Sequence, residues 1–171
     1  TEWPDGGFEL TMAYQGTSPE ESACAQLMQA GAAELGITIK TEAMEWPAKF
    51  DLFSSAETAL PMGTIWNYPN LPDADQFLYV YLHSDEAGGG LNWAYYSNPE
   101  YDGLVEQARS ELDPERRCEL YREAQQIWVE DVPFINISVG YALSAAQENV
   151  YGYSWTPAHA YTVSAYQMWK E

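Results

Sequence analysis

Any chemistry in this chain has to come from carboxylates or aromatic rings. It holds 26 acidic against 7 basic side chains, with 2 histidines and 2 cysteines. Asp73 and Asp75 have the residue types for glycosidase work, in which one carboxyl gives a proton and the other acts as base or nucleophile. Among so many acids such pairs arise by chance, and sequence spacing alone does not set their separation in space. His83 and His159 neighbour no serine or cysteine in a nucleophile motif. HExxH, a Walker loop and GxGxxG are all absent, and Gly88–Gly90 lacks the lysine and the strand–helix setting of a phosphate cradle. Cys24 and Cys118 show no metal-ligand spacing; two buried thiols and one bridge are equally open. The expectation is a chain with no catalytic residue, no metal and no cofactor.

Aromatic side chains say more. Seven Trp, thirteen Tyr and five Phe make up 15% of the residues. Many stand in turn-rich segments and not on helical stripes: Trp66, Tyr68, Trp93, Tyr95, Tyr96 and Trp155. Rings on loops near strand ends offer flat apolar faces with polar edges, suited to stacking on sugars or packing round peptide side chains. For Trp66, Tyr68 and Trp93, ligand binding and a structural role stay equally open.

The elements that position these residues read as α/β. Phe8, Leu10, Met12 and Tyr14 alternate with Glu9, Thr11 and Ala13, which predicts a strand with one apolar face. Ser18-Pro19-Glu20-Glu21 is a capping box with proline at the first helical position. The helix it opens should present Ala23, Leu27, Ala30 and Cys24 and end at Gly36. Ile37, Ile39 and Thr41 resume a strand, giving a βαβ unit with parallel strands. Trp46-Pro47 starts a loop or short helix, Thr64–Trp66 fits a short buried strand, and Asp73 or Asp75 can cap a helix through Phe77 and Leu82. Asn98 and Asp113 each precede a proline and cap a further helix. These two helices carry Leu104, Ala108 and Leu112, then Leu120, Tyr121, Ala124, Ile127 and Trp128. Pro133 stops the second, and Phe134–Val139 predicts a strand with Ile135 and Ile137 in the core.

Composition narrows the function classes. At 171 residues with 46% hydrophobic content the chain can bury a core, which excludes disorder. A net charge of -19 leaves no cationic face for nucleic acid. Such an acidic surface suits a salty exterior, where screening weakens self-repulsion. No run approaches the roughly 20 apolar residues that span a bilayer.

The order N-P-E-Y-D-x-L at Asn98, D-P-x-R-R-x-x-L-Y-x-E-A-Q-x-I at Asp113 and D-x-P-F at Asp131 resembles a known family. It is similar to the C-terminal part of the extracytoplasmic solute-binding proteins of ABC transporters, in the peptide, nickel and oligosaccharide group (family 5). Leu35–Lys40, LGITIK, resembles the same family. The resemblance implies an α/β lobe of the periplasmic-binding-protein type II architecture, with a mixed, mainly parallel sheet flanked by helices. It implies that residues 1–171 form the single C-terminal lobe, with 141–171 a tail returning towards a missing N-terminal lobe. It further implies a periplasmic or extracellular location, a membrane permease as partner, and capture of a peptide, oligosaccharide or other small polar solute by hinge closure. In the family the segment resembling Thr64–Phe77 lines the cleft, and in peptide binders an aspartate there meets the peptide amine. Asn70 or Asp73 stands in that place here, so the expected ligand set is Trp66, Tyr68, Asn70, Asp73 and Trp93.

Two readings from other classes compete. An extracellular glycan hydrolase would need two carboxylates facing each other at about 5 to 10 Å. An assembly module would use the aromatic rings as a protein interface.

Overall fold

The computed structural model describes residues 7–67, 71–138, 145–154 and 165–171. The chain divides into two compact units, Thr1–Trp66 with Leu82–Ser97, and Asn67–Tyr81 with Asn98–Glu171.

In the first unit β1 (Phe8–Gln15) runs parallel to β2 (Ile37–Met44) over its whole length, from Phe8 against Ile37 to Gln15 against Met44. On its other side β1 pairs in parallel with β3 (Met62–Gly63), giving the order β2-β1-β3. The helix α1 (Pro19–Glu34) connects β1 to β2, as the βαβ reading expected. The central strand is buried on both faces, not on one. Met12 joins Cys24, Ala25 and Ile39 in one cluster, while Ala13 joins Phe53 and Trp93 in another. A parallel strand between two covered faces has no solvent side, and its alternation is correspondingly weak.

The buried face of α1 carries Glu21, Cys24 and Ala25, with Met28 and Ala32 beside them. This corrects the expected stripe, because Ala23, Leu27 and Ala30 face solvent. An alanine-rich helix has little contrast between its sides, so one misplaced Leu outweighs the true face. Gly36 takes the left-handed conformation that ends α1, with φ 75. The short α2 (Trp46–Phe53) follows β2 and packs Phe53 under the sheet. The predicted strand shifts forward to β3; Thr64–Trp66 is irregular, although the Thr64 N–H still donates to the Ala13 carbonyl at 3.0 Å.

In the second unit, α3 (Asp75–Leu78) is followed by α4 (Pro99–Ser110) and α5 (Pro114–Asp131). Both expected N-caps form: Asn98 accepts from the N–H groups of Glu100 and Tyr101, and Asp113 from that of Arg116. The buried residues are Leu78, Tyr101, Val105, Ala108, Leu120, Tyr121 and Ala124, with Leu104 and Ile127 half-buried. Leu112 lies outside α4 and is exposed. The Tyr101 hydroxyl donates to the Leu78 carbonyl at 2.6 Å, fastening α4 to α3. A small antiparallel pair, β4 (Val150–Tyr151) and β5 (Trp169–Lys170), stacks Tyr151 on Trp169.

Residues 134–138 form no strand, against expectation, and Val139 lies outside the described residues. Ile135 and Ile137 are exposed where core positions were expected. A strand needs a partner, and none among the described residues stands beside this one. Both cysteines are free, Cys24 buried and Cys118 exposed.

Candidate functional site

Three parallel strands present their carboxyl ends on one edge of the first unit. In open α/β sheets the crevice outside those ends is where ligands bind. Each strand runs straight into residues with chemical character: β1 into Gly16-Thr17-Ser18, β2 into Glu45-Trp46, β3 into Thr64-Ile65-Trp66.

One carboxylate ties these three exits together. Glu21, in the first turn of α1, is buried, and its Oε2 accepts from the Gln15 N–H at 2.7 Å, at the end of β1. The same oxygen accepts from Lys49 Nζ at 2.6 Å, from α2, and from Thr64 Oγ1 at 2.5 Å, just past β3. Lys49 is fully buried. The reciprocal half of the capping box is therefore not made: Ser18 Oγ accepts from the Glu21 N–H at 3.2 Å, but the Glu21 carboxylate turns inward to the lysine. Glu21 Oε1 has no partner among the described residues.

Above the lysine lies a block of rings. Trp93 stacks on Phe53 with centroids 4.8 Å apart and on Trp46 at 5.5 Å, and Phe50 meets its edge at 6.4 Å. Lys49 Nζ sits 5.7 Å from the Trp46 ring centre and 5.9 Å from that of Trp93, a cation–π arrangement out of water. Trp93 is 8% exposed, whereas Trp46 is 37% exposed. Trp93 is thus the floor of the block and Trp46 its outer ring. Trp66 is half-buried at the exit of β3. Gly63 allows the close approach: a Cβ there would sit 2.5 Å from the Phe53 ring.

Asp73 belongs to the second unit and is already engaged. Arg117 donates to it through both terminal nitrogens, Nη1 to Oδ2 and Nη2 to Oδ1, each at 2.9 Å. The Asp75 N–H donates to Asp73 Oδ1 at 2.9 Å. The guanidinium's hydrogen bonds hold the Asp73 carboxyl below the usual carboxylate range. Burial pushes the Tyr121 hydroxyl, which accepts from Arg117 at 3.1 Å, upwards. Asp75 pairs with Arg109 Nε at 3.0 Å, and the Arg109 guanidinium lies 3.7 Å from the Tyr79 ring centre. A glycosidase acid needs a raised pKa, and Asp73 is shifted the other way. Tyr68 and Asn70 lie outside the described residues.

No family model matches the chain. It is 29% identical over 141 residues to the di/tripeptide-binding protein 4 of Pseudomonas aeruginosa, covering 82% of this chain and 26% of that protein. To the oligopeptide-binding protein AppA of Bacillus subtilis it is 30% identical over 153 residues, covering 88% and 27%. The fold matches that of a dipeptide binding protein from Pseudoalteromonas in complex with Met-Leu, with TM-score 0.79, 24% identity, and coverage of 98% of this chain and 33% of that one. It also matches the ABC transporter-associated periplasmic binding protein DppA of Helicobacter pylori in complex with a peptide, with TM-score 0.76, 24% identity, and coverage of 97% and 32%. The chain is similar to part of the peptide- and dipeptide-binding proteins of ABC transporters.

It spans about a quarter of the length of the curated relatives it matches. The fold-class reading, a mixed α/β chain with a parallel sheet and helices, stands. Of the candidate residues, Trp66 leaves the carboxyl edge of the sheet, Trp93 underlies the aromatic block, and Asp73 is held by Arg117. Sequence reasoning missed Trp46, Lys49, Glu21 and Thr64. Lys49 and Glu21 look like surface charges in an acidic chain, and only the fold shows them buried against each other. Trp46 had a signal: Trp-Pro directly after a strand places a ring at the sheet's carboxyl edge.

Proposed function

We propose that this chain is part of a receptor that captures a small polar solute outside the cytoplasm and delivers it to an ABC permease, without acting on it chemically. The observation that carries this is the aromatic edge of the parallel sheet, where Trp46 and Trp66 follow the two outer strands, on either side of β1, and the Lys49–Glu21 pair fixes the exits between them. A stacking surface fixed in place before ligand arrives loses little freedom on binding, which favours affinity over chemistry. Relatives named as di/tripeptide- and oligopeptide-binding proteins make a short peptide the leading solute class.

The polar anchor is read from what remains. The stretch 64–73 contains one carboxylate, Asp73, and Arg117 neutralises it. Of the two positions that the resemblance offers for the anchor, Asn70 and Asp73, this leaves Asn70 as the group we assign to the solute. An amide donates and accepts without charge, so it suits a solute that presents a neutral polar group there and not a cationic amine. Trp66, Tyr68 and Trp93 are the aromatic residues we assign to the solute. The first lobe, in the rest of the protein, closes over the bound solute.

Thermal-shift screening of the full-length protein tests this, with di- and tripeptides bearing free or acetylated amines and with oligosaccharides. Stabilisation that survives acetylation, with the solute recovered intact, is the expected result. Binding that requires the free amine overturns the Asn70 assignment. Recovery of cleaved solute overturns the receptor reading.

A further inference from the structure

We infer that the helices of this chain are built for concentrated salt and loosen reversibly as ionic strength falls, whichever solute is bound.

The chain cannot neutralise itself. Its 7 basic residues face 26 acidic ones, and the net charge of -19 counts every residue. Most of the cations are already committed. Lys49 is buried on Glu21, Lys40 meets Glu9 at 2.7 Å, and Arg109 meets Asp75 at 3.0 Å. Arg117 holds Asp73 at 2.9 Å, and Arg116 divides itself between Glu119 at 2.9 Å and Glu123 at 3.3 Å. Whatever Arg122 and Lys170 pair with, the excess stays negative.

Placement adds to the repulsion. A helix ends on carbonyl groups with partial negative charge, where a cation stabilises and a carboxylate repels. The last turn of α1 carries Glu34, that of α2 Asp51, and that of α5 Glu130 and Asp131; none of the three holds a basic residue. In α4 the last turn holds a cation, Arg109, which Asp75 engages. Along α5, Glu115, Glu119 and Glu123 are spaced four apart, so like charges stand next to each other on one face. The Glu119 and Glu123 side chains are 55% and 51% exposed, within reach of dissolved ions. These repulsions arise within single helices and do not depend on segments beyond the described residues.

Little apolar burial offsets them in α1. Its buried face is Glu21, Cys24 and Ala25, while Leu27 is 73% exposed and Leu35 67%. Screening then sets the salt range. The distance over which charges feel one another falls from about 10 Å in roughly 0.1 M salt to about 3 Å in roughly 1 M. Carboxylates four apart on a helix have Cβ atoms about 5–6 Å apart, inside the first distance and beyond the second. Dilute salt leaves the repulsion standing, and molar salt removes most of it. The Lys49–Glu21 pair is buried and screened far less, so it should hold while the helix ends open.

Hydrogen–deuterium exchange on the full-length protein, in about 0.05 M and about 2 M KCl, decides this. Amides in the last two turns of α1 and along α5 should exchange at least about 10-fold faster in the dilute salt, and regain protection when the salt is restored. Equal protection in both salts overturns the inference. So does full protection in dilute salt with sucrose, which favours compactness without screening charge. Glu34→Lys supplies the local check. In dilute salt it should slow exchange at the end of α1 at least about 3-fold, and the gap to wild type should close in concentrated salt. A gap of the same size in both salts, or none in either, would contradict screening as the cause.

Discussion

At the scale of single residues, the Lys49–Glu21 pair is the most consequential feature of the first unit. A carboxylate oxygen shared by Gln15, Lys49 and Thr64 fixes three strand exits with one atom. Removing one member of a buried pair strands the other charge away from water. Lys49→Met should therefore destabilise by about 3–5 kcal/mol, and adding Glu21→Gln should recover part of the loss, as measured by urea unfolding of the single and double variants. The Arg117–Asp73 pair is half-exposed, so Asp73→Asn should lose only about 1 kcal/mol after solvent screening. Its pH dependence has a definite sign. The Asp73 carboxyl is shifted down in the folded protein, so the pair's contribution is complete above the unfolded value, about 3.9. That contribution fades as pH falls through the lower folded value. The stability gap between wild type and Asp73→Asn should thus be constant from pH 5 to 8 and close in more acidic solution. None of these pairings was legible in the sequence, because a buried Lys or Glu is written with the same letter as a solvated one.

At the scale of elements, the local grammar was legible wherever it is carried by neighbours in sequence. Ser18, Asn98 and Asp113 cap helices because their side chains reach N–H groups two or three residues on. Pro133 and Gly36 stop helices through their own backbone preferences. What failed depends on distant partners. The α1 face was misread because alanines hide it, and Phe134–Ser138 did not become a strand because pairing is non-local. Gly63 shows the same limit: nothing in Met-Gly-Thr announces that the Phe53 ring fills the space where its Cβ would stand. Gly63→Ala should force that ring aside and loosen the stack on Trp93. Overpacking of this kind destabilises by about 1–3 kcal/mol, visible as a lower thermal midpoint with a changed near-ultraviolet circular dichroism signal.

At the scale of the whole molecule, the acidity and the aromatic richness take separate places. The net charge of -19 sits on a surface that keeps nucleic acid away, while rings gather at the carboxyl edge of a short parallel sheet. The resemblance was legible because the blocks that carry it lie in well-capped helices, which also form the scaffold. The proposed site was less legible, since we place specificity in the run after β3, where the sequence has no period to follow. The central claim is that this edge holds the solute and that Trp66 is its contact. Isothermal titration of the full-length protein and of Trp66→Ala, with a peptide or other solute found by screening, tests it most directly. Affinity should be at least about 10-fold weaker in the variant, with its melting temperature in the absence of solute close to that of wild type. Equal affinity in a variant that remains folded would contradict it.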